Sequence, residues 1–182
     1  MKTLIFNGSP REKGDTVSLI SEFLKHLDGE YKIVTAYDCN VAACIDCRWC
    51  WKNPGCFIQD GMQEIYDYVQ ECDNVLIASP LHFAEITGKL LSVGSRLQTY
   101  YSASYFRKEK PVAKAKKGGI ILVSGGIRKL DAPLQSSRML LEHMNARDVF
   151  PYVYGSDTNH GHPADKPEVL QQVKELAEFF NG

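Results

Sequence analysis

The fold is decided by the segment Thr3-Leu4-Ile5-Phe6-Asn7-Gly8-Ser9-Pro10-Arg11-Glu12-Lys13-Gly14-Asp15-Thr16. Its apolar start, Thr3–Asn7, predicts a strand because it is short and ends at turn residues. The following stretch, Thr16–Leu27, predicts a helix, since its apolar residues lie close to the i, i+3, i+4, i+7 spacing of one buried face. The same pattern of strand, turn and helix recurs along the chain.

Four more strands and four more helices are predicted after this first pair. The strands are Tyr31–Tyr37, Asn74–Ser79, Gly119–Ser124 and Val149–Tyr154, and the helices are Met62–Glu71, Gly88–Tyr101, Ala132–Met144 and Pro167–Phe180. Five strands alternating with five helices predict an α/β fold, with a doubly wound parallel sheet of order 2-1-3-4-5 and helices on both faces. Long irregular stretches remain at Asp38–Gly61, Ser102–Lys117 and Gly155–Lys166, and long loops tend to be functional.

Length and composition narrow the class of protein. The 182 residues favour a single domain, 1–182, with a cysteine-rich loop insertion at about 38–61. Lys and Arg number 21 against 22 Asp and Glu, so no basic excess points to nucleic acid or a membrane surface. No signal peptide is evident, and no apolar run reaches the ~18–20 residues of a membrane span. We therefore expect a cytoplasmic protein.

Ligands of this fold bind at the carboxyl ends of the strands, so the loops after strands 1, 3 and 4 are the candidates. In the first loop, Gly8 and Gly14 allow backbone amides to approach a phosphate, Ser9 offers a hydroxyl and Arg11 offers a bidentate cation. An ordinary turn before the helix, with Asp15 or Thr16 as N-cap, is the alternative interpretation.

The other two loops also have unusual chemistry. Strand 3 runs into Ser79-Pro80-Leu81-His82-Phe83, where Pro80 stiffens the turn and leaves the next three amides free to face a ligand. Strand 4 ends in Ser124-Gly125-Gly126, whose glycines permit close backbone approach to a flat ring. Taken alone, each of these signals is also compatible with an ordinary turn.

Taken together, these loops resemble those of the NADPH-dependent FMN reductase group of flavodoxin-like proteins. Gly8-Ser9-Pro10-Arg11, then Gly14 and Thr16, is similar to the group's FMN-phosphate loop. The loop after strand 3 departs from the group at one position, since the family often has Tyr where this chain has His82. The resemblance implies FMN as cofactor and NAD(P)H as substrate. The cofactor-binding residues that it implies are Ser9, Arg11, Asp15, Thr16, Val17, Ser18, Pro80, Leu81, His82, Phe83, Ser124, Gly125 and Gly126.

The activity implied by the resemblance is hydride transfer from NAD(P)H to FMN, followed by electron transfer to a quinone, a flavin or an electron carrier. The cofactor does the chemistry, so no catalytic acid or base is required. Members of the group are typically oligomeric, which implies a homodimer or homotetramer. Two alternatives remain: an iron–sulfur flavoprotein that carries electrons with little direct NAD(P)H turnover, and a cysteine-dependent module without flavin.

Four cysteines within 13 residues, Cys44, Cys47, Cys50 and Cys56, form a C-x2-C-x2-C-x5-C motif. In a reducing compartment such a cluster indicates metal binding or redox chemistry before disulfides. The spacing resembles the compact motif of the iron–sulfur flavoproteins, which implies these four cysteines as ligands of a [4Fe–4S] cluster. A redox or structural thiol loop and a zinc site remain alternatives. The bulky residues Arg48, Trp49 and Trp51 depart from the small residues common between cluster ligands.

Two smaller features have less specific interpretations. The pair His160 and His162 is flanked by glycine and proline, which is more typical of a surface loop than of a metal site. The aromatic and basic segment Ser102–Lys117 suits the 2′-phosphate of NADPH, a neighbouring subunit's flavin, or a solvated face.

Overall fold

The computed structural model describes all residues, 1–182, and contains one sheet of seven strands. The strands are β1 (Lys2–Asn7), β2 (Glu30–Thr35), β3 (Asn74–His82), β4 (Glu85–Ile86), β5 (Lys116–Val123), β6 (Ala146–Val149) and β7 (Val153–Gly155). The helices are α1 (Asp15–His26), α2 (Met62–Glu71), α3 (Gly88–Gly94), α4 (Gln98–Tyr105), α5 (Asp131–His143) and α6 (Pro167–Asn181). Short 3-10 helices form at Trp49–Trp51, Ser95–Leu97 and Pro163–Asp165.

The main strands are parallel and run in the order β2-β1-β3-β5-β6, while β7 also pairs with β5 and the short β4 pairs with β3 in antiparallel orientation. This is the predicted doubly wound, flavodoxin-like arrangement. The predicted count of five strands is wrong, because two further short strands are present. The predicted helix Gly88–Tyr101 is also interrupted, since a 3-10 turn at Ser95–Leu97 separates α3 from α4.

The extra strands have local causes. The predicted strand Val149–Tyr154 is divided at Pro151, which has no N–H group to donate to the sheet. As a result, β6 and β7 pair with different parts of β5. The third strand continues beyond its predicted end at Ser79, and a hairpin returns it as β4.

Two apolar clusters cover the two faces of the sheet. On one face, α1 and α6 pack against the sheet through residues such as Leu19, Phe23 and Phe180. On the other face, α2, α3 and α5 pack on side chains such as Leu4 and Phe6 of β1. Because both faces are buried, the carboxyl edge of the sheet is where the connecting loops can meet a ligand. None of the helices combines the length and the apolar character that crossing a membrane requires.

Candidate functional site

The loops after β1 and β3 are joined at the carboxyl edge of the sheet, where the chain connections leave opposite faces. The Thr87 hydroxyl donates a hydrogen bond to the Gly8 carbonyl at 2.9 Å, and the Thr87 amide donates to Ser79 Oγ at 3.1 Å. Both hydroxyl-bearing residues are fully buried. Buried hydroxyls that bond the backbone fix the distance between two loops, so these two loops form one unit.

The junction requires glycine at position 8, because there is no space for a side chain there. A Cβ atom at this position would lie 2.7 Å from Ser79 Oγ, 2.9 Å from the Leu90 side chain and 3.0 Å from Thr87 Oγ1. Real Cβ atoms do not approach other heavy atoms so closely, and all three neighbours are buried. The glycine thus lets the first loop pack directly on the third strand's loop.

The loop between β1 and α1 leaves helix amides free for an anion. The buried Ser9 donates its amide to Asn7 Oδ1 at 2.9 Å, and its hydroxyl accepts from the Arg11 amide at 3.2 Å. Gly14 is the N-cap of α1 and no side chain caps the helix, so the alternative of an N-cap at Asp15 or Thr16 is wrong. The first N–H groups of a helix have no intrahelical partner, and here they face the loop.

Asp15 connects this loop to a distant segment of the chain. Its carboxylate accepts a hydrogen bond from Arg11 Nη2 at 3.2 Å, and its other oxygen lies 2.9 Å from His162 Nδ1. The hydrogen bond and charge of Asp15 raise the pKa of His162 above its usual value. The ion pair is therefore complete below that pKa and is lost as the pH rises through it. His162 lies in an exposed loop, as predicted, and the structure adds its contact with Asp15.

The glycine loop after β5 is held by the same distant segment. The Ser124 carbonyl accepts from the Thr158 amide at 3.1 Å, and the Gly125 carbonyl accepts from the Asn159 amide at 3.2 Å. The Ser124 hydroxyl also lies 2.6 Å from the hydroxyl of Tyr154. A Cβ at Gly126 would meet no atom within 4 Å, so this glycine borders open space, while its carbonyl accepts from the Tyr154 hydroxyl at 3.3 Å. Through segment 154–162, this loop and the first loop belong to one hydrogen-bonded network.

The segment after Pro80 differs from its prediction. Leu81 and His82 belong to β3 and pair with Ile86 and Glu85, so these two residues lie in a strand and not in the predicted turn. Phe83 forms the hairpin tip together with Ala84, and its side chain is completely exposed. Both tip residues have positive φ angles, 52° and 61°, which non-glycine residues rarely adopt. The hairpin was missed because β4 has two residues and the tip lacks a turn signature.

A buried ion pair closes the cysteine loop. Arg96 has a fully buried side chain, and its Nη1 donates to Asp60 Oδ2 at 2.7 Å and to the Ala42 carbonyl at 3.0 Å. Its Nη2 donates to the Ile58 carbonyl at 2.9 Å. Because these acceptors lie at both ends of the loop, one guanidinium group holds the ends together. Arg96 Nε is buried and has no hydrogen-bond partner.

Hydroxyl side chains hold the middle of the same loop. The Ser95 hydroxyl accepts from the Cys44 amide at 3.0 Å, and the Thr99 hydroxyl donates to the Gly55 carbonyl at 2.9 Å. Ser102 Oγ lies 3.3 Å from Cys50 Sγ. Residues 95, 99 and 102 have the i, i+4, i+7 spacing of a single helix face. This face was not among the predicted features, although the spacing of its hydroxyls in the sequence is a signal for it.

The four cysteines of the motif line one small cavity inside this loop. Cys44, Cys47, Cys50 and Cys56 all border it, and so does the Arg96 side chain. All four are free thiols, and no three His, Cys, Asp or Glu side chains of the structure are grouped so that they could hold one metal ion. A zinc ion needs four donors at about 2.0–2.3 Å from one centre, so the zinc alternative does not fit this arrangement.

Comparisons with known proteins identify the family of the chain. The family model described as NADPH-dependent FMN reductase matches residues 1–161. An iron-sulfur flavoprotein of Archaeoglobus fulgidus is 29% identical, with 100% of this chain and 81% of the relative covered. Another, from Methanosarcina thermophila, is 28% identical, with coverage of 97% and 92%.

Solved structures show the same fold at low sequence identity. The NAD(P)H:quinone oxidoreductase from Methanothermobacter marburgensis superposes with a TM-score of 0.75 at 15% identity, with 100% of this chain and 96% of that chain covered. The FMN-dependent NADH-azoreductase from Bacillus anthracis, solved in complex with FMN, gives a TM-score of 0.61 at 18% identity, with coverage of 100% and 98%.

Proposed function

Because the chain belongs to the NADPH-dependent FMN reductase family, we propose that it is an FMN-dependent oxidoreductase that takes hydride from NAD(P)H and passes electrons to a quinone, a flavin or an electron carrier. The observation that carries this proposal is the single hydrogen-bonded network that joins the loops after β1, β3 and β5 at the carboxyl edge of the sheet. Bound FMN supplies a ring that accepts hydride and then releases electrons. The proposal includes assembly of the chain into a homodimer or homotetramer, as the family resemblance implies.

The chain's own residues bind and orient the cofactor. The amides at the start of α1, with the hydroxyls of Ser9 and Thr16, bind the FMN phosphate, and the backbone of Ser124–Gly126, half-buried at its two glycines, meets the ring. Arg11 and a protonated His162 offset the negative charge of Asp15, which otherwise opposes a phosphate at this position. The exposed Arg11 side chain keeps donors that Asp15 does not occupy.

We expect Arg11→Ala to weaken FMN binding by about 1–3 kcal/mol, roughly five- to 150-fold, because a charge-assisted contact to the phosphate is lost. The measurement is a titration of apoprotein with FMN, followed by quenching of flavin fluorescence. Arg138→Ala is the matched control, since Arg138 is exposed on α5 and lies outside all three loops. Equal affinity of the Arg11→Ala variant and the wild type contradicts the assignment of this loop to the phosphate.

A second candidate function, an iron–sulfur flavoprotein that carries electrons, is favoured by the cysteine cavity. Each corner iron of a cubane cluster takes one cysteine thiolate, and all four cysteines of the motif border one cavity, so the number of thiols matches the number of irons. The buried and unpartnered Nε of Arg96 supplies a donor and a positive charge beside that cavity. Relatives with 28–29% identity carry the name iron-sulfur flavoprotein.

The two candidates differ in iron content and in turnover. For the carrier, we expect about four irons and four acid-labile sulfides per chain in protein purified without oxygen, with the absorption of both a flavin and a cluster. We also expect little NADPH oxidation with a generic acceptor. Flavin without iron, together with steady NADPH oxidation, favours the reductase and leaves the four cysteines as a thiol loop.

A further inference from the structure

The outer side of the cysteine loop carries an aromatic groove that the proposed function does not use. The groove has a volume of about 600 Å³, and its lining includes Trp49, Trp51, Phe57, Arg48 and Lys52. Cys47 borders both this groove and the inner cysteine cavity. None of the lining residues belongs to the three loops assigned to FMN.

The aromatic side chains present exposed rings in a fixed arrangement. Trp49 is 45% exposed and Phe57 is 60% exposed, and their ring centroids lie 5.7 Å apart. Behind them, Trp51 stacks on Phe106 of the segment after α4 at 4.2 Å, which anchors this side of the loop. Exposed aromatic side chains that are grouped and supported from behind typically mark a binding site.

The charges at the groove are complementary to an anion. The Arg48 guanidinium lies over the Trp51 ring, 4.8 Å from its centroid, and Lys52 is exposed beside it. No carboxylate lines the groove. The nearest acidic partner, Asp46, is 3.7 Å from Arg48 Nε in a pair whose members are both mostly exposed, so it neutralises little of the charge.

The backbone around Arg48 is strained. Arg48 has a φ angle of 59° and Asp46 has one of 50°, and both are left-handed conformations that cost free energy for residues with a side chain. The conformation persists because Arg107 Nη1 donates to the Cys50 carbonyl and the 3-10 turn 49–51 begins directly after Arg48. Strain that is held by the surrounding structure is typical of functional segments.

The size of the groove distinguishes a small molecule from a protein partner. A stable protein interface buries about 800 Å² on each side and involves about 20–30 residues. Seven residues line this groove, and its volume lies within the range of about 300–1,000 Å³ found for small-molecule sites. A planar ring system can stack against the exposed aromatic side chains, and a negative group fits the two cations.

We propose that the groove formed by Trp49, Trp51 and Phe57 with Arg48 and Lys52 binds a small planar aromatic anion. The ring stacks on Trp49 and Phe57, and the anionic group pairs with Arg48. Within the proposed oxidoreductase, this ligand class is that of an electron acceptor, and Cys47 places the ligand next to the cysteine loop. That identification rests on the proposed function, whereas binding in the groove does not.

The test uses anthraquinone-2-sulfonate as the probe and FMN-loaded protein, so that the flavin site is filled. Trp49 and Trp51 are the only two tryptophans of the chain, and tryptophan emission therefore reports on this groove. We expect quenching and a calorimetric binding signal with the probe, and neither with methanesulfonate, which has the charge but no ring. Arg48→Gln and Trp49→Ala should each weaken binding about tenfold, while Arg138→Gln should leave it unchanged.

Several outcomes overturn the proposal. The proposal fails if the probe does not bind at millimolar concentration, or if Arg48→Gln binds it as well as the wild type does. It also fails if FMN is released in proportion to the bound probe. A further contrary result is protection of both tryptophans from iodide quenching in the wild type, because it would show that an oligomer buries the groove. If the protein binds no FMN, the proposed function fails, but titration of the FMN-free protein with the probe, repeated with Arg48→Gln, still decides the groove.

Discussion

Replacing Asp60 with Asn is expected to lower the free energy of unfolding by about 3–5 kcal/mol, because the substitution leaves a buried guanidinium without a counter-ion. The Arg96 side chain is fully buried, and the Asp60 side chain is only 10% exposed. The carboxylate of Asp60 also accepts from the amides of Ala42 and Met62, so this residue is a junction of three segments. Urea denaturation followed by circular dichroism measures the loss.

The matched control is Lys174→Gln, which breaks an exposed pair with Glu178 at 3.7 Å on α6. An exposed pair of this kind contributes about 0–1 kcal/mol to the free energy of unfolding. The control should therefore have almost the same urea unfolding midpoint as the wild type. The reactivity of the cysteine thiols toward a disulfide reagent should rise in Asp60→Asn and stay constant in the control. Similar unfolding midpoints for Asp60→Asn and the wild type contradict the view that this pair closes the loop.

The stability of the protein at low pH should depend on the same ion pair, Asp60 with Arg96. Burial alone raises the pKa of Asp60, but the hydrogen bonds from Arg96, Ala42 and Met62 outweigh it, and the net pKa lies below the usual value. A carboxyl with a lowered pKa in the folded state contributes stability above its unfolded pKa, and this contribution is lost as the pH falls through the folded pKa. The stability difference between the wild type and Asp60→Asn should therefore narrow in acid.

Gly8→Ala is expected to lower the free energy of unfolding by about 1–3 kcal/mol through overpacking. The new methyl group would lie within 3.0 Å of Ser79 Oγ, the Leu90 side chain and Thr87 Oγ1, all of them buried. Relief requires that the loop after β1 move away from the loop after β3. FMN affinity should fall along with stability, because the proposed site depends on the spacing of these loops.

Gly88→Ala is the control for this substitution. Gly88 is the first residue of α3, and a Cβ there would meet no atom within 4 Å. Alanine has less conformational freedom in the unfolded chain, so this variant should gain up to about 1 kcal/mol or stay unchanged. The prediction for Gly8 fails if both alanine variants unfold with the same midpoint and bind FMN equally.

Much of the fold follows from local patterns that the sequence displays directly. The predicted helix Met62–Glu71 has the same bounds as α2, and the first strand and first helix start within one residue of their predicted positions. Apolar periodicity encodes such elements, because each helix buries one face and each central strand buries both. The break at Pro151 has a local cause, the missing N–H group of proline, that the sequence also displays. The hairpin after Pro80 depends instead on pairing between β3 and β4, which the pattern of a single strand does not contain.

The sequence by itself determined the doubly wound fold, the location of the candidate loops and the compact cysteine motif, since periodicity, glycine placement and cysteine spacing are all short-range features. Only the tertiary structure decided which distant residues complete the sites. His162 lies 147 residues from Asp15, and Arg96 lies 36 residues from Asp60. Both contacts form because the packed sheet brings separate loops within hydrogen-bond distance. For Arg96 and Asp60, burial also makes an unpaired charge too costly to tolerate.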